Sequence, residues 1–115
     1  MNTKHTPGPL HVFSVYAQHE VRTPTDTLVA VANSRDDARL FSAAPELLEA
    51  CATFAEWMRR EKEGFVNAGN ERDTPEGEAR WRAWYSENLR LCDLAQEQAI
   101  AAVAKATGAS HVHDA

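Results

Sequence analysis

An α+β fold, mostly helical, follows from three observations. β-type residues are confined to positions 10–33, apolar residues recur at steps of three and four from position 38 onward, and capping residues bound each of those later stretches. The expected architecture is a short three-stranded antiparallel meander followed by a helical hairpin with a long C-terminal helix. A chain of 115 residues has room for one domain with one core. Residues 10–107 are read as that domain, 1–9 as a flexible lead-in with two prolines and a glycine, and 108–115 as a flexible tail.

The strand segments are rich in Val, Leu, Phe and Tyr. Leu10, Val12, Phe13, Val15 and Tyr16 come first, then Val21, then Leu28, Val29 and Val31, with polar breaks at Gln18-His19 and Thr23-Pro24-Thr25-Asp26. The spacing predicts strands over 10–17, 20–23 and 27–32. The middle one carries a single strongly apolar residue and is followed by Pro24, which suits the edge of a sheet because proline cannot donate to a ladder.

Helix is expected from Ser34, an N-cap with Asp37 three residues on in the manner of a capping box. Ala38, Leu40, Phe41 and Ala44 give an apolar face before Pro45 interrupts. Proline inside a helix loses a hydrogen bond and clashes with the preceding turn at a cost of ~3 kcal/mol. Pro45 therefore fits the first position of a second helix, a kinked continuous helix being the alternative. Leu47, Leu48, Cys51, Phe54, Ala55 and Met58 then form a stripe expected to face the core, and Gly64 is the expected stop. A polar connector over 64–74 follows, in which Phe65 and Val66 are expected to tuck against the core.

Thr74, Pro75 and Glu76 mark the start of the last helix, and Gly108 its end. Trp81, Tyr85, Leu89, Cys92, Ala95, Ala99 and Val103 form its expected core stripe, which Trp84, Leu91, Leu94 and Ala102 widen on one side. It would run ~45 Å, against ~28 Å for its partner helix over 45–63, at 1.5 Å per residue. That mismatch leaves apolar surface uncovered and predicts self-association, most simply a two-fold homodimer.

Composition narrows the function classes. The 43% hydrophobic and 25% charged residues are those of a globular chain. A net charge of −5 disfavours binding to a nucleic-acid backbone. No apolar run is long enough to span a membrane or act as a signal peptide, so a cytoplasmic location is expected. Cys51 and Cys92 lie among apolar residues at helical spacing and read as buried, reduced thiols, with a disulfide between helices as the alternative.

Chemistry is sparse. His5, His11 and His19 match no zinc spacing, and His111-Val112-His113-Asp114 lies in a segment with no second shell to fix a metal. Carboxylate groups such as Asp36/Asp37 and Glu61/Glu63 read as solvated surface, and no phosphate-loop, dinucleotide, nucleophile-elbow or zinc-protease motif occurs. No catalytic residue, metal or cofactor is expected. The aromatic group Trp81, Trp84 and Tyr85, with Trp57 and Phe54, is first a core filler. Trp81 and Trp84, three positions apart, nonetheless splay by about 60° around a helix. Trp84 with Arg80 and Arg82 is therefore the candidate protein-binding site, since tryptophan and arginine are enriched in binding hot spots. The acidic connector 71–78 is the alternative surface.

Two stretches carry a resemblance. Thr6-Pro7-Gly8-Pro9 before a β segment, and Ala38-Arg39-Leu40-Phe41-Ser42-Ala43-Ala44-Pro45-Glu46-Leu47-Leu48-Glu49-Ala50, resemble a group of small phage and prophage proteins. That group opens Thr-Pro-Gly-Pro-Trp and has an Ala-Arg-Leu-Ile-Ala-Ala-Ala-Pro-Glu-Leu-Leu-Glu-Ala helix. Leu10, Phe41 and Ser42 depart from the pattern, and the match spans residues 6–51. The resemblance implies a bacteriophage accessory product in the bacterial cytoplasm and carries over no activity and no site residue. With the uncovered helix it points to a non-catalytic protein that binds and modulates a host protein, an anti-CRISPR-like inhibitor of host defence being one form. A phage assembly oligomer is the second expectation, and a small nucleotide-binding protein or enzyme the third.

Overall fold

The computed structural model describes residues 5–16, 18–65 and 72–109. Strands β1 (His11–Val15), β2 (Gln18–Arg22) and β3 (Leu28–Ala32) form an antiparallel sheet in the order β1-β2-β3. Register places Val12 beside Val21 and Val21 beside Ala30. Alternation of side chains puts this row, with Ala32, on one face and Phe13, Glu20 and Val31 on the other.

β2 is thus the central strand and not an edge. Pro24 falls in the turn beyond the ladder, where Thr23 and Asp26 close the loop, so its missing donor costs the sheet nothing. The one strongly apolar residue of β2 is enough for the centre, because Val21 is completely buried, at 0% exposure.

Helix α1 (Arg35–Ser42) covers the inner face of the sheet. The Asp37 N–H donates to Ser34 Oγ at 3.0 Å, and Ala38 packs into a small core with Leu10, Val21 and Ala32. The chain breaks at Ala43, and α2 (Ala44–Glu63) begins with Pro45 in its first turn, so Pro45 starts a second helix. Residues 5–9, expected as a loose lead-in, run beside that start. A Cβ on Gly8 would stand 3.0 Å from Pro45 Cβ, which brings the two stretches of the phage resemblance together.

Helix α3 (Pro75–Thr107) runs antiparallel to α2, capped by Thr74, whose Oγ1 accepts from the Gly77 N–H at 3.0 Å. The seam between them is small and polar. Ala50, Asn88, Leu91, Ala95 and Ala102 are buried along it, at the three- and four-residue steps of packed helices. Lys105 Nζ donates to Glu46 at 2.8 Å, Gln98 Nε2 to Glu49 at 3.0 Å, and Arg60 Nε to Asn88 Oδ1 at 2.6 Å.

The two stripes expected to face the core therefore lie elsewhere. Phe54, Met58, Tyr85, Leu89 and Val103 are exposed, and of the α3 stripe Ala95 is buried together with Leu91 and Ala102 from its widened side. Alanines let the helix axes approach closely, and the larger side chains, about a quarter turn round each helix, are left outside. The result is a long molecule, 68 × 36 × 22 Å, with the sheet and α1 at one end. Its radius of gyration is 19.6 Å, against about 13 Å for a compact chain of this length.

Arg39 of α1 locks onto the far end of α3. Gly108 closes α3 in the left-handed conformation at φ 72°, and a Cβ there would fall 2.8 Å from the Arg39 guanidinium. Gly108→Ala is expected to cost about 1 kcal/mol or more, because an L side chain disfavours that conformation. This should lower the melting temperature by about 5 °C. An unchanged melting curve would show that this cap does not hold the ends together.

Candidate binding surfaces

The first surface is the tip of the hairpin, farthest from the sheet. Trp81 and Tyr85, one turn apart on α3, stack with centroids 5.1 Å apart and planes at 7°. The Arg72 guanidinium lies 3.7 Å from the Trp81 ring centroid, a cation–π contact. Arg72 and Arg82 each donate to Glu78 at 3.3 Å. One carboxylate thus holds two arginines beside two stacked rings.

Trp84 lies on the other side. It is half-buried, in line with the seam residues Asn88 and Leu91, with its ring 5.9 Å from that of Phe65. Its carbonyl oxygen accepts from Arg60 at 3.4 Å. Arg80 lines a cleft of about 270 Å³ with Trp84, Arg59, Arg60, Glu63 and Phe65. The structure thus brings Trp84 and Arg80 together and leaves Arg82 exposed on the Glu78 side. Phe65 tucks in as expected, while Val66 lies outside the described residues.

Tyr85 was expected inside with Trp81, yet it is 46% exposed. The steps 84, 88, 91, 95, 98 and 102 form the packed line instead, and they include Asn88 and Gln98, which a purely apolar pattern passes over.

The second surface is the open side of the hairpin. Leu47, Cys51 and Phe54 of α2 and Cys92, Ala95 and Ala99 of α3 line a groove of about 600 Å³. Large side chains border it, with Phe54 at 52% and Val103 at 53% exposure. Cys51, expected buried, is exposed on this groove because no described residue packs over its side of α2. Both cysteines are free thiols, and Gln96 Nε2 donates to Cys92 Sγ at 3.3 Å.

Among the described residues no group of three or more His, Cys, Asp or Glu side chains is placed to hold a metal, and no helix is long and apolar enough to cross a membrane. His111, His113 and Asp114 lie outside the described residues.

A family model for Salmonella phage P22 protein Y8K6 matches residues 1–110. The chain belongs to that phage protein family. The P22 Y8K6 match extends well past residue 51 and takes in the whole of α3. No curated protein and no solved structure is similar to the chain at a significant level.

Electrostatics at the tip follow from Glu78. The hydrogen bond from Arg72, with a further one from Arg82, holds its carboxyl below the usual carboxylate range. A carboxyl depressed in the folded state stabilises at pH above its unfolded value, and that contribution disappears as pH falls through the folded one. Tryptophan emission is therefore expected to stay constant from about pH 8 to 5 and to change below about pH 4 as Arg72 is released from Trp81. Glu78→Gln should show the low-pH emission already at neutral pH. A transition centred above pH 5, or one that survives Glu78→Gln, would contradict this.

Proposed function

We propose that this member of the P22 Y8K6 family is a non-catalytic phage accessory protein that acts in the bacterial cytoplasm by docking on a host protein and modulating it. Inhibition of a host defence system, as an anti-CRISPR protein inhibits its target, is one form this takes. The observation that supports the reading is the hairpin tip. The stacked rings of Trp81 and Tyr85, the half-buried Trp84 and a set of arginines gather there, away from the sheet. Tryptophan, tyrosine and arginine are the residues that dominate binding hot spots, because they offer large contact area with directional donors.

Within the tip, Trp84, Arg80 and Arg82 are the proposed contacts. Arg82 and Arg80 supply reach and charge. Trp84 supplies the apolar anchor, and its packing on Phe65 keeps it in place before the partner arrives.

The test is quantitative capture from host cells expressing the tagged full chain, compared with Arg80→Ala/Arg82→Ala and with Trp84→Ala. A specific host protein should be enriched by the parent chain, and each variant should weaken its binding by roughly thirtyfold, equivalent to about 2 kcal/mol. Helical content should hold in all three. Enrichment that is equal for parent and variants would place the interface elsewhere, and the acidic connector 71–78 would be the next surface to substitute.

A further inference from the structure

We propose that the free edge of β1, beside Arg35 and Arg39 of α1, takes an extended acidic segment of another protein as a fourth strand of the sheet.

The site has two walls. Val12, Phe13 and Ser14 of β1 and Arg35 and Arg39 of α1 line an open groove of about 470 Å³. Successive residues of a strand point to opposite faces of its sheet. Three in a row therefore border one groove only along the strand's backbone, at its edge. β2 pairs with β1 from His11↔Arg22 to Val15↔Gln18, and none of its residues lines the groove. The groove thus follows the other side of β1, where the sheet ends. Of the described elements, only β2 and α1 pack against β1.

That edge is fit to pair. An edge strand presents unpaired N–H and C=O groups, and proteins commonly blunt such edges with proline, lysine or a bulge. His11–Val15 contains neither proline nor lysine, and its register with β2 is unbroken. An added strand gains main-chain hydrogen bonds there whatever its sequence, so specificity rests on its side chains.

The second wall says which side chain. Arg35 and Arg39 stand one turn apart on one side of α1. Arg35 is exposed and, among the described residues, makes no hydrogen bond or ion pair. Arg39 approaches Asp36 only to 3.7 Å, and Asp36 is 91% exposed, so that pair is weak and readily exchanged. Gly108 abuts the Arg39 guanidinium and limits where it can swing. One carboxylate can accept from two guanidiniums, as Glu78 does from Arg72 and Arg82 in this same chain. A strand added to β1 sends every second side chain to the α1 face of the sheet, the face of Val12 and Ser14. An aspartate or glutamate at one of those positions meets the arginines. Ser14 Oγ is already engaged with His19 Nδ1 at 2.9 Å, which leaves the guanidiniums as its donors.

The surface lies at the sheet end of the molecule, apart from the hairpin tip, and does not depend on the reading of that tip. The experiment offers the full chain, with no host protein present, a labelled peptide about seven residues long, enough to span β1. Valine and threonine alternate in it around a central glutamate. Binding is read by fluorescence anisotropy up to about 1 mM chain, and hydrogen exchange locates it. The peptide should bind and protect alternate amides of His11–Val15. A glutamine-centred peptide should bind about tenfold more weakly or worse, and a backbone N-methylated glutamate peptide should not bind. Arg35→Gln should reduce the glutamate peptide to the affinity of the glutamine one with the helical signal unchanged. If that variant loses helix, the peptide comparison in the parent chain decides. No binding at 1 mM, or equal binding of the glutamate and glutamine peptides, overturns the proposal. Undiminished binding of the N-methylated peptide also overturns it, by showing a simple anion site, as does protection that falls outside β1. Protection of β1 that rises with chain concentration alone would make a second copy the occupant and overturn it too.

Discussion

The tie between Arg60, Asn88 and Glu61 fixes how α2 meets α3, and most of the molecule follows from it. Asn88 is buried and uses both ends of its amide, accepting from Arg60 at 2.6 Å and donating to Glu61 at 3.1 Å. A buried amide left unpaired costs about 1–3 kcal/mol, so sliding or rotating either helix is penalised. At the other end of α2 the Glu46–Lys105 pair repeats the constraint. Between the two ties, Ala50, Ala95 and Ala102 bring the helices close without supplying much apolar area. The polar groups choose the register, and the alanines permit it.

The same choice leaves the chain with a thin interior. Among the described residues Val21 is the largest completely buried side chain, and seven of the ten buried hydrophobic residues are alanines. Alanine burial removes little area from water, at about 25 cal/mol per Å². The large side chains that would ordinarily supply the core stand on the outer face of the hairpin. Whatever binds that face binds the folded chain in preference to the unfolded one, and so adds stability by mass action. Interior poverty and exterior greasiness are two consequences of one seam.

Local signals in the sequence were legible and the facing of the helices was not. Ser34 and Thr74 cap, Pro45 and Pro75 lie in first turns, and Gly64 and Gly108 close helices, because each acts on backbone groups within a few residues of itself. The meander was likewise readable from the clustering of Val and Leu. Edge placement of β2 failed because the proline argument applies only inside the ladder, and Pro24 is outside it. The core stripes failed for a deeper reason. Hydrophobic periodicity assumes that the most apolar face is buried by its own chain, and here Asn88 and Gln98 mark the seam, while Phe54 and Leu89 mark the surface. For the candidate site, the gathering of aromatic and arginine side chains was visible in 80–85. Which tryptophan pointed where depended on the helix facing and was not.

The central claim is that specific polar contacts, rather than apolar burial, set the α2–α3 register. A double-mutant cycle on Arg60→Ala and Asn88→Ala, with stability measured by urea unfolding at low micromolar protein, tests it most directly. The account predicts a coupling of about 1–2 kcal/mol, since the pair is a charge-assisted hydrogen bond held away from water. Additive effects, with coupling indistinguishable from zero, would contradict it.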